Sequence, residues 1–325
     1  MIGPSASSRL FRPAAVFENC EEQMSSSMKF SSHPDYCPLS GTAALKPGLL
    51  SVPPDQAVLE AEELHFRYTD GSDAVAGVNF RIMPGETVAL CGHNGSGKTT
   101  LMKLLAGLLK PAKGKVLVAG VELDTRTARE VFRTVGLLFQ DPQDQLFCNS
   151  VGEDVSYGPR NLGLSEAEVG ERVALALNIT EVQHLEHRPI HHLSGGEMKR
   201  VALSGIVAMQ SPVLILDEPF DGLDPASSDR LITLIRHLAD DHGYTVLVAT
   251  HLMSLVPEVA NRMLVMQGGR LLADGPVREL LTNVPLLEQA RLQPPDITRF
   301  FYKKALLENR KPERLPLTLD EALEW

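Results

Sequence analysis

Gly92-His93-Asn94-Gly95-Ser96-Gly97-Lys98-Thr99 follows directly on a short apolar run, Thr87 to Cys91, and this junction restricts the fold more than any other segment. The pattern G-x-x-x-x-G-K-T works only between a strand and a helix, because its glycines let main-chain N–H groups close around phosphate oxygens. Lys98 supplies a point charge for the outer phosphates, and the Thr99 hydroxyl is suited to Mg²⁺. The following helix adds its positive end. Leu101, Leu104, Leu105 and Leu108 recur at helical spacing, so that helix has a face to bury.

Three further apolar runs, Val135 to Phe139, Val213 to Leu216 and Thr245 to Thr250, share the composition of strands buried on both faces. Each ends in a polar residue: Gln140, Asp217 with Glu218, and His251. In an open parallel sheet, ligands bind outside the carboxyl ends of the strands, so these positions are expected to converge with the glycine loop. Adjacent carboxylates at a core edge are costly without a cation or donors, and Mg²⁺ is the natural partner of Asp217 and Glu218. Val58 to Tyr68 alternates instead, which predicts an antiparallel strand.

Between Gln140 and Val213 the chain is mostly helical in pattern and contains Leu193-Ser194-Gly195-Gly196-Glu197. Ser194 and Glu197 are spaced as a capping box, and Met198, Val201, Ala202, Gly205, Ile206 and Met209 mark one side of the helix that follows. Pro212 is expected to stop it. The predicted fold class is α/β: a mixed sheet core, an antiparallel β subdomain and an inserted helical subdomain over about 141–210.

At 325 residues and 43% hydrophobic, the chain can bury one large α/β core with an insertion, or two moderate domains. Its formal charge of -10 argues against a nucleic-acid groove. Cys20, Cys37, Cys91 and Cys148 form no C-x-x-C pair, so neither zinc nor a disulfide framework is suggested. No apolar run reaches the ~18 residues of a membrane span, and no secretory signal is seen. Residues 1–55 are rich in Ser and Pro and are expected to be a disordered extension, with Met24 or Met28 an alternative start.

The glycine loop, Leu193 to Glu197 and Val213-Leu214-Ile215-Leu216-Asp217-Glu218-Pro219, in that order, resemble the ATP-binding cassette ATPases. The resemblance covers roughly Val58 to Leu281 and implies an ATP- and Mg²⁺-dependent ATPase domain over about 56–285. It implies nucleotide binding by Tyr68, Gly92, Asn94, Gly95, Ser96, Gly97, Lys98, Thr99 and Thr100, and across an interface by Ser194, Gly195, Gly196 and Asp224. Thr99, Gln140 and Asp217 become the Mg²⁺ set, and Glu218, His251 and Gln140 the catalytic set. Tyr68 is either the adenine-stacking aromatic or a packing residue at a strand end, and Gln140 is alternatively a turn residue. His191 and His192 are read as packing or surface rather than as a metal pair.

In such ATPases the signature of one subunit covers the ATP of another, so the resemblance implies a second ATPase subunit, identical or related. Gln140-Asp141-Pro142-Gln143-Asp144-Gln145-Leu146-Phe147 and His191 to Ala202 look like the energy-coupling factor importers. Pro295 to Phe301, in an expected helical extension over 286–325, resembles the tail of the cobalt and nickel importer ATPases. There Ile297, Phe300, Phe301 and Ala305 fall at helical spacing. Phe220-Asp221 departs from the Thr-Ala more usual in this branch. The implied role is a motor at the cytoplasmic face of the membrane, with a transmembrane transport subunit and a separate membrane substrate-binding component. Its cargo is cobalt or nickel, with biotin or another vitamin as the alternative. A soluble non-transport cassette is the rival class; the distance from Gly92 to Ser194 leaves no room for the long coiled coil of chromosome-condensing members.

Overall fold

The alternation of apolar runs and helical patterns resolves into two sheets. The computed structural model describes residues 52–53, 55–309 and 314–324. The expected disordered extension over 1–55 therefore lies, apart from its last few residues, outside the described residues. In chain order the elements begin with β1 (Leu59–Arg67), β2 (Asp73–Ile82), β3 (Thr87–Cys91), α1 (Lys98–Leu105), β4 (Lys113–Val118), β5 (Val121–Glu122) and β6 (Val135–Leu138). The helical segment follows as α2 (Val151–Asn161), α3 (Glu166–Ile179) and α4 (Gly195–Met209). Next come β7 (Val213–Asp217), α5 (Pro225–Asp240), β8 (Thr245–Thr250), α6 (Val256–Val259), β9 (Arg262–Gln267) and β10 (Arg270–Pro276). The chain then runs through α7 (Val277–Thr282), α8 (Val284–Gln289), α9 (Asp296–Leu307) and α10 (Leu319–Leu323).

The larger sheet has the order β10-β9-β3-β8-β7-β6. From β9 to β6 every pairing is parallel, and only β10 runs against its neighbour. Continuous apolar sequence is explained by burial on both faces. Val88 and Leu90 of β3 join the cluster that includes α1, while Ala89 and Cys91 join the one that includes α4 and α5. β7 divides in the same way, with Val213 and Ile215 on one side and Leu214 and Leu216 on the other. The second sheet, β2-β1-β4-β5, is antiparallel and contains the strand expected from the alternation after Val58.

The inserted helices are begun by three local devices of one kind. Ser150 with Glu153, Ser165 with Glu168 and Ser194 with Glu197 all form capping boxes. Each pair satisfies main-chain donors that a helix start would otherwise leave open. The α4 stripe is broader than its apolar spacing predicts. Met198, Gly205 and Met209 are only half-buried, whereas Lys199, Leu203, Ser204, Val207 and Ala208 are buried, because α4 is wrapped by α2, α3 and the sheet. The helix ends at Met209 on a left-handed Gln210, just ahead of Pro212.

α9 is helical, and of the residues at helical spacing only Ala305 is fully buried. Thr298 and Ala305 are buried while Phe300 is 60% exposed. The Thr298 hydroxyl donates to the Pro316 carbonyl at 2.7 Å, so a polar anchor rather than Phe300 sets the rotation of the helix. Among the described residues no helix is long and apolar enough to cross a membrane.

Candidate functional site

Strand register brings the predicted residues to one edge. Cys91 pairs with Thr250, Asp217 with Ala249 and Leu138 with Leu216, so the residues that follow these strands leave the sheet side by side. The glycine loop crosses this edge between β3 and α1. A Cβ at Gly97 would lie 2.2 Å from the Ala74 carbonyl, and the residue has φ +104°, so only glycine fits. A Cβ at Gly92 would lie 2.4 Å from Ser96 Oγ and 2.7 Å from the Met266 carbonyl. At Gly92 and Gly97 the loop thus holds its main chain closer to its neighbours than any side chain allows, while Gly95 at its tip is open.

Lys98 is buried and turns back over the loop, donating to the Gly92 carbonyl at 2.7 Å. Its Nζ also lies 3.2 Å from Glu218 Oε1, an ion pair between two buried side chains. Glu218 Oε2 accepts from the main-chain N–H of His251 at 3.2 Å and pairs with His251 Nδ1 at 3.0 Å. Lys98, Glu218 and His251, widely separated in sequence, therefore form one contact chain. Glu218 adopts φ +45°, a left-handed conformation that the surrounding contacts hold.

Asp217 is buried at the end of β7, and burial pushes its carboxyl above the usual aspartate range, while a hydrogen bond from Thr99 opposes the shift. Its Oδ1 and the buried Ser96 Oγ have no hydrogen-bond partner within the protein. Orphaned buried oxygens are expensive unless a ligand satisfies them. Two buried oxygens beside a glycine cradle and a lysine suit a phosphate-bound divalent cation, which Thr99 and Asp217 are placed to hold.

Gln140 Nε2 donates to Asp221 Oδ2 at 3.4 Å, and His251 Nδ1 lies 3.9 Å from Asp221 Oδ1. Asp221, Glu218 and His251 each bring one ligand atom within 4.8 Å of the others. Sequence reasoning noted Asp221 only as a departure; its place three residues beyond Glu218 was the available signal. Tyr68, 41% exposed, bonds the Thr100 hydroxyl at 2.9 Å and packs edge-on against Phe66 with ring centroids 5.0 Å apart. It is thereby tied to the end of the phosphate loop.

Ser194, Gly195 and Gly196 are not brought to that loop: among the described residues no hydrogen bond or ion pair joins them to residues 92–100. The Ser194 hydroxyl donates to Glu197 Oε2 at 2.8 Å, and Ser194 and Gly195 are exposed. Asp224 also acts locally, as N-cap of α5, accepting from the Ser227 N–H at 3.0 Å and the Ser227 hydroxyl at 2.6 Å. Lys199 was missed altogether. It donates to the carbonyls of Glu218 at 3.2 Å, Pro219 at 3.3 Å and Asp221, and a lysine three and four residues before the buried Ala202 and Leu203 was the sign.

Comparison with known proteins agrees with this arrangement. The ABC transporter family profile matches residues 75–221. The energy-coupling factor transporter ATP-binding protein EcfA of Methanocaldococcus jannaschii is 43% identical over 242 residues, 74% of this chain and 86% of its own length. EcfA of Methanoculleus marisnigri is 42% identical over 265 residues, 82% of this chain and 95% of its own. The solved structure of cbiO1 from Clostridium perfringens, described as part of the ABC transporter complex cbiONQ, has a TM-score of 0.66. It is 37% identical, and the match covers 76% of this chain and 99% of that one. Strand-end geometry and relatives of this similarity lead to one assignment: the chain belongs to the ABC transporter family, as an ATP-hydrolysing cassette homologous to the EcfA energy-coupling factor ATP-binding proteins.

Proposed function

We propose that the chain is the ATP-driven motor of an energy-coupling factor type importer, acting as a dimer beneath a transmembrane subunit, with a cobalt or nickel ion as cargo. The observation that carries the motor reading is the meeting of Lys98, Glu218 and His251 at the carboxyl edge of four adjoining parallel strands. Residues 92–100 hold the triphosphate, Tyr68 borders the base, and Thr99, Asp217 and Gln140 hold Mg²⁺. The metal, when bound, neutralises charge on the phosphate oxygens.

Glu218 is the group that orients the attacking water and accepts its proton, a role commonly worth about 10²- to 10⁴-fold in rate. His251 fixes the carboxylate through two contacts to one oxygen, so the other oxygen keeps its orientation. The exposed Ser194–Gly196 helix start is the half-site that a second ATPase subunit would use, since its main-chain N–H groups favour an anion. Support for the metal cargo is the similarity of Pro295 to Phe301 to the tail of the cobalt and nickel importer ATPases, beside that of Gln140 to Phe147 to the energy-coupling factor importers.

The motor reading is tested with Glu218→Gln in the full chain. ATP binding is expected to persist, turnover to fall at least about 100-fold, and an ATP-dependent dimer to accumulate in light scattering. Turnover at the wild-type rate removes Glu218 from its role. Cargo is tested in vesicles holding the chain with its membrane subunits, by ATP-dependent uptake of radiolabelled cobalt, nickel and biotin; uptake of biotin alone replaces the metal.

A further inference from the structure

Lys199 stands little more than one turn inside α4 and is 9% exposed. Burial pushes its pKa below the ordinary lysine range, against the pull of Asp221 and Glu218. Its partners are main-chain oxygens. The ammonium has three N–H donors, and the carbonyls of Glu218, Pro219 and Asp221 take them.

Those carbonyls belong to a single turn, the one that leaves β7 and carries Glu218 in its left-handed conformation. Such a backbone persists only where its surroundings over-determine it. On one side the turn is held by the Glu218 N–H, which donates to the Ala249 carbonyl at 3.1 Å, and by the His251 contacts. On the other side it is held by Lys199. α4 is also the helix whose first residues present Ser194, Gly195 and Gly196 at the surface. One side chain therefore spans from the helix that begins at the exposed anion-binding start to the backbone of the catalytic carboxylate.

We infer that Lys199 is a positioning residue that couples the Ser194–Gly196 helix start to Glu218, so that engagement of that start by a second subunit's nucleotide is passed to the carboxylate. The inference rests on the reading of Glu218 given above. A lysine that served packing alone would affect folding without separating turnover from nucleotide affinity.

Lys199→Met, Lys199→Arg and Glu218→Gln in the full chain separate these possibilities, with MgATP kinetics, thermal unfolding and hydrogen exchange of residues 217–222 as readouts. Lys199→Met is expected to lower kcat about 10- to 100-fold while KM stays within about threefold, and to speed exchange in 217–222. Lys199→Arg, which keeps charge and donors, is expected to restore part of kcat. Unchanged kcat in Lys199→Met overturns the coupling, as does a joint loss of kcat, KM and thermal midpoint that Arg does not relieve. If Lys199→Met fails to fold, Lys199→Gln, which keeps two donors, is judged by the same criteria. Inactive Glu218→Gln beside wild-type Lys199→Met refutes the coupling alone, whereas active Glu218→Gln refutes the reading of Glu218 on which it rests.

Discussion

Two glycine-bearing helix starts in this molecule offer main-chain N–H groups to an anion, and they are finished in opposite ways. At Gly92 to Lys98 the base of the loop is enclosed: Ser96 and Lys98 are buried, and backbone or side-chain atoms crowd the places where Cβ atoms would stand at Gly92 and Gly97, while Asn94 and Gly95 at its tip are exposed. At Ser194 to Gly196 the start is open. Ser194 and Gly195 are exposed, a Cβ at Gly195 would meet nothing within 4 Å, and the cap is satisfied by Glu197. The enclosed start is completed by its own chain, through Glu218 and Asp217 at the strand ends. The open one has no such completion among the described residues, and Lys199 joins its helix to the turn beyond β7. In the proposed dimer this surface start is the half-site that the second subunit's nucleotide would complete.

This contrast breaks most readily at the glycines. Gly97→Ala places a methyl group against the Ala74 carbonyl at a positive φ, so a loss of about 3 kcal/mol in stability and of ATP binding is expected in denaturation and titration. Gly195→Ala enters open space, so stability is expected to stay within about 1 kcal/mol while ATP-dependent dimerisation weakens. Equal damage from both substitutions would erase the distinction between enclosed and open starts.

A smaller effect sharpens the enclosed side. Because burial raises the Asp217 pKa, the folded chain holds the proton more firmly than the unfolded chain. Stability therefore declines as pH rises from 3.8 through the raised value, and the cost remains at neutrality. Asp217→Asn is expected to stabilise the nucleotide-free protein at pH 7 by about 1 kcal/mol and to abolish the extra stabilisation that Mg²⁺ brings with ATP. Thermal unfolding with and without MgATP checks both signs.

The smallest effect concerns the open side. The Ser194 N–H and hydroxyl hold the Glu197 carboxyl below its usual range. That stabilisation is present above the ordinary value of 4.5 and is lost as pH falls through the lowered one. Glu197→Gln is expected to cost about 0.5 kcal/mol at pH 7 and to flatten stability between pH 5 and 3, about the range over which such a carboxylate titrates. An unchanged pH profile would remove the capping box from the energetics of this start.

Much of the fold was legible because its signals are local. β3 and β8 begin and end where their apolar runs do, and the Ser194–Glu197 box starts α4 as its spacing implies. β6 stops one residue short of Phe139, and β7 runs on through Asp217, since strand ends depend on neighbours as well as on composition. On α9 spacing groups Phe300 with Ile297, Phe301 and Ala305, but spacing alone does not say which residues are covered: Ala305 is buried, Phe300 is exposed, and Thr298 is buried with its bond to Pro316. Lys199 escaped notice because a lysine on a helix reads as solvated until carbonyls from another element are found around its ammonium.

The amino-acid order alone determined the strand, glycine loop and helix at Gly92 to Thr99, and the polar residues that terminate each buried strand. Short-range sterics and hydrogen bonding suffice for these. Tertiary structure decided that Lys98 meets Glu218, that His251 grips the same carboxylate, and that Lys199 reaches the turn beyond β7. Those contacts follow from which faces of sheet and helix bury one another, and a contact between distant segments exists only after that packing has chosen the neighbours.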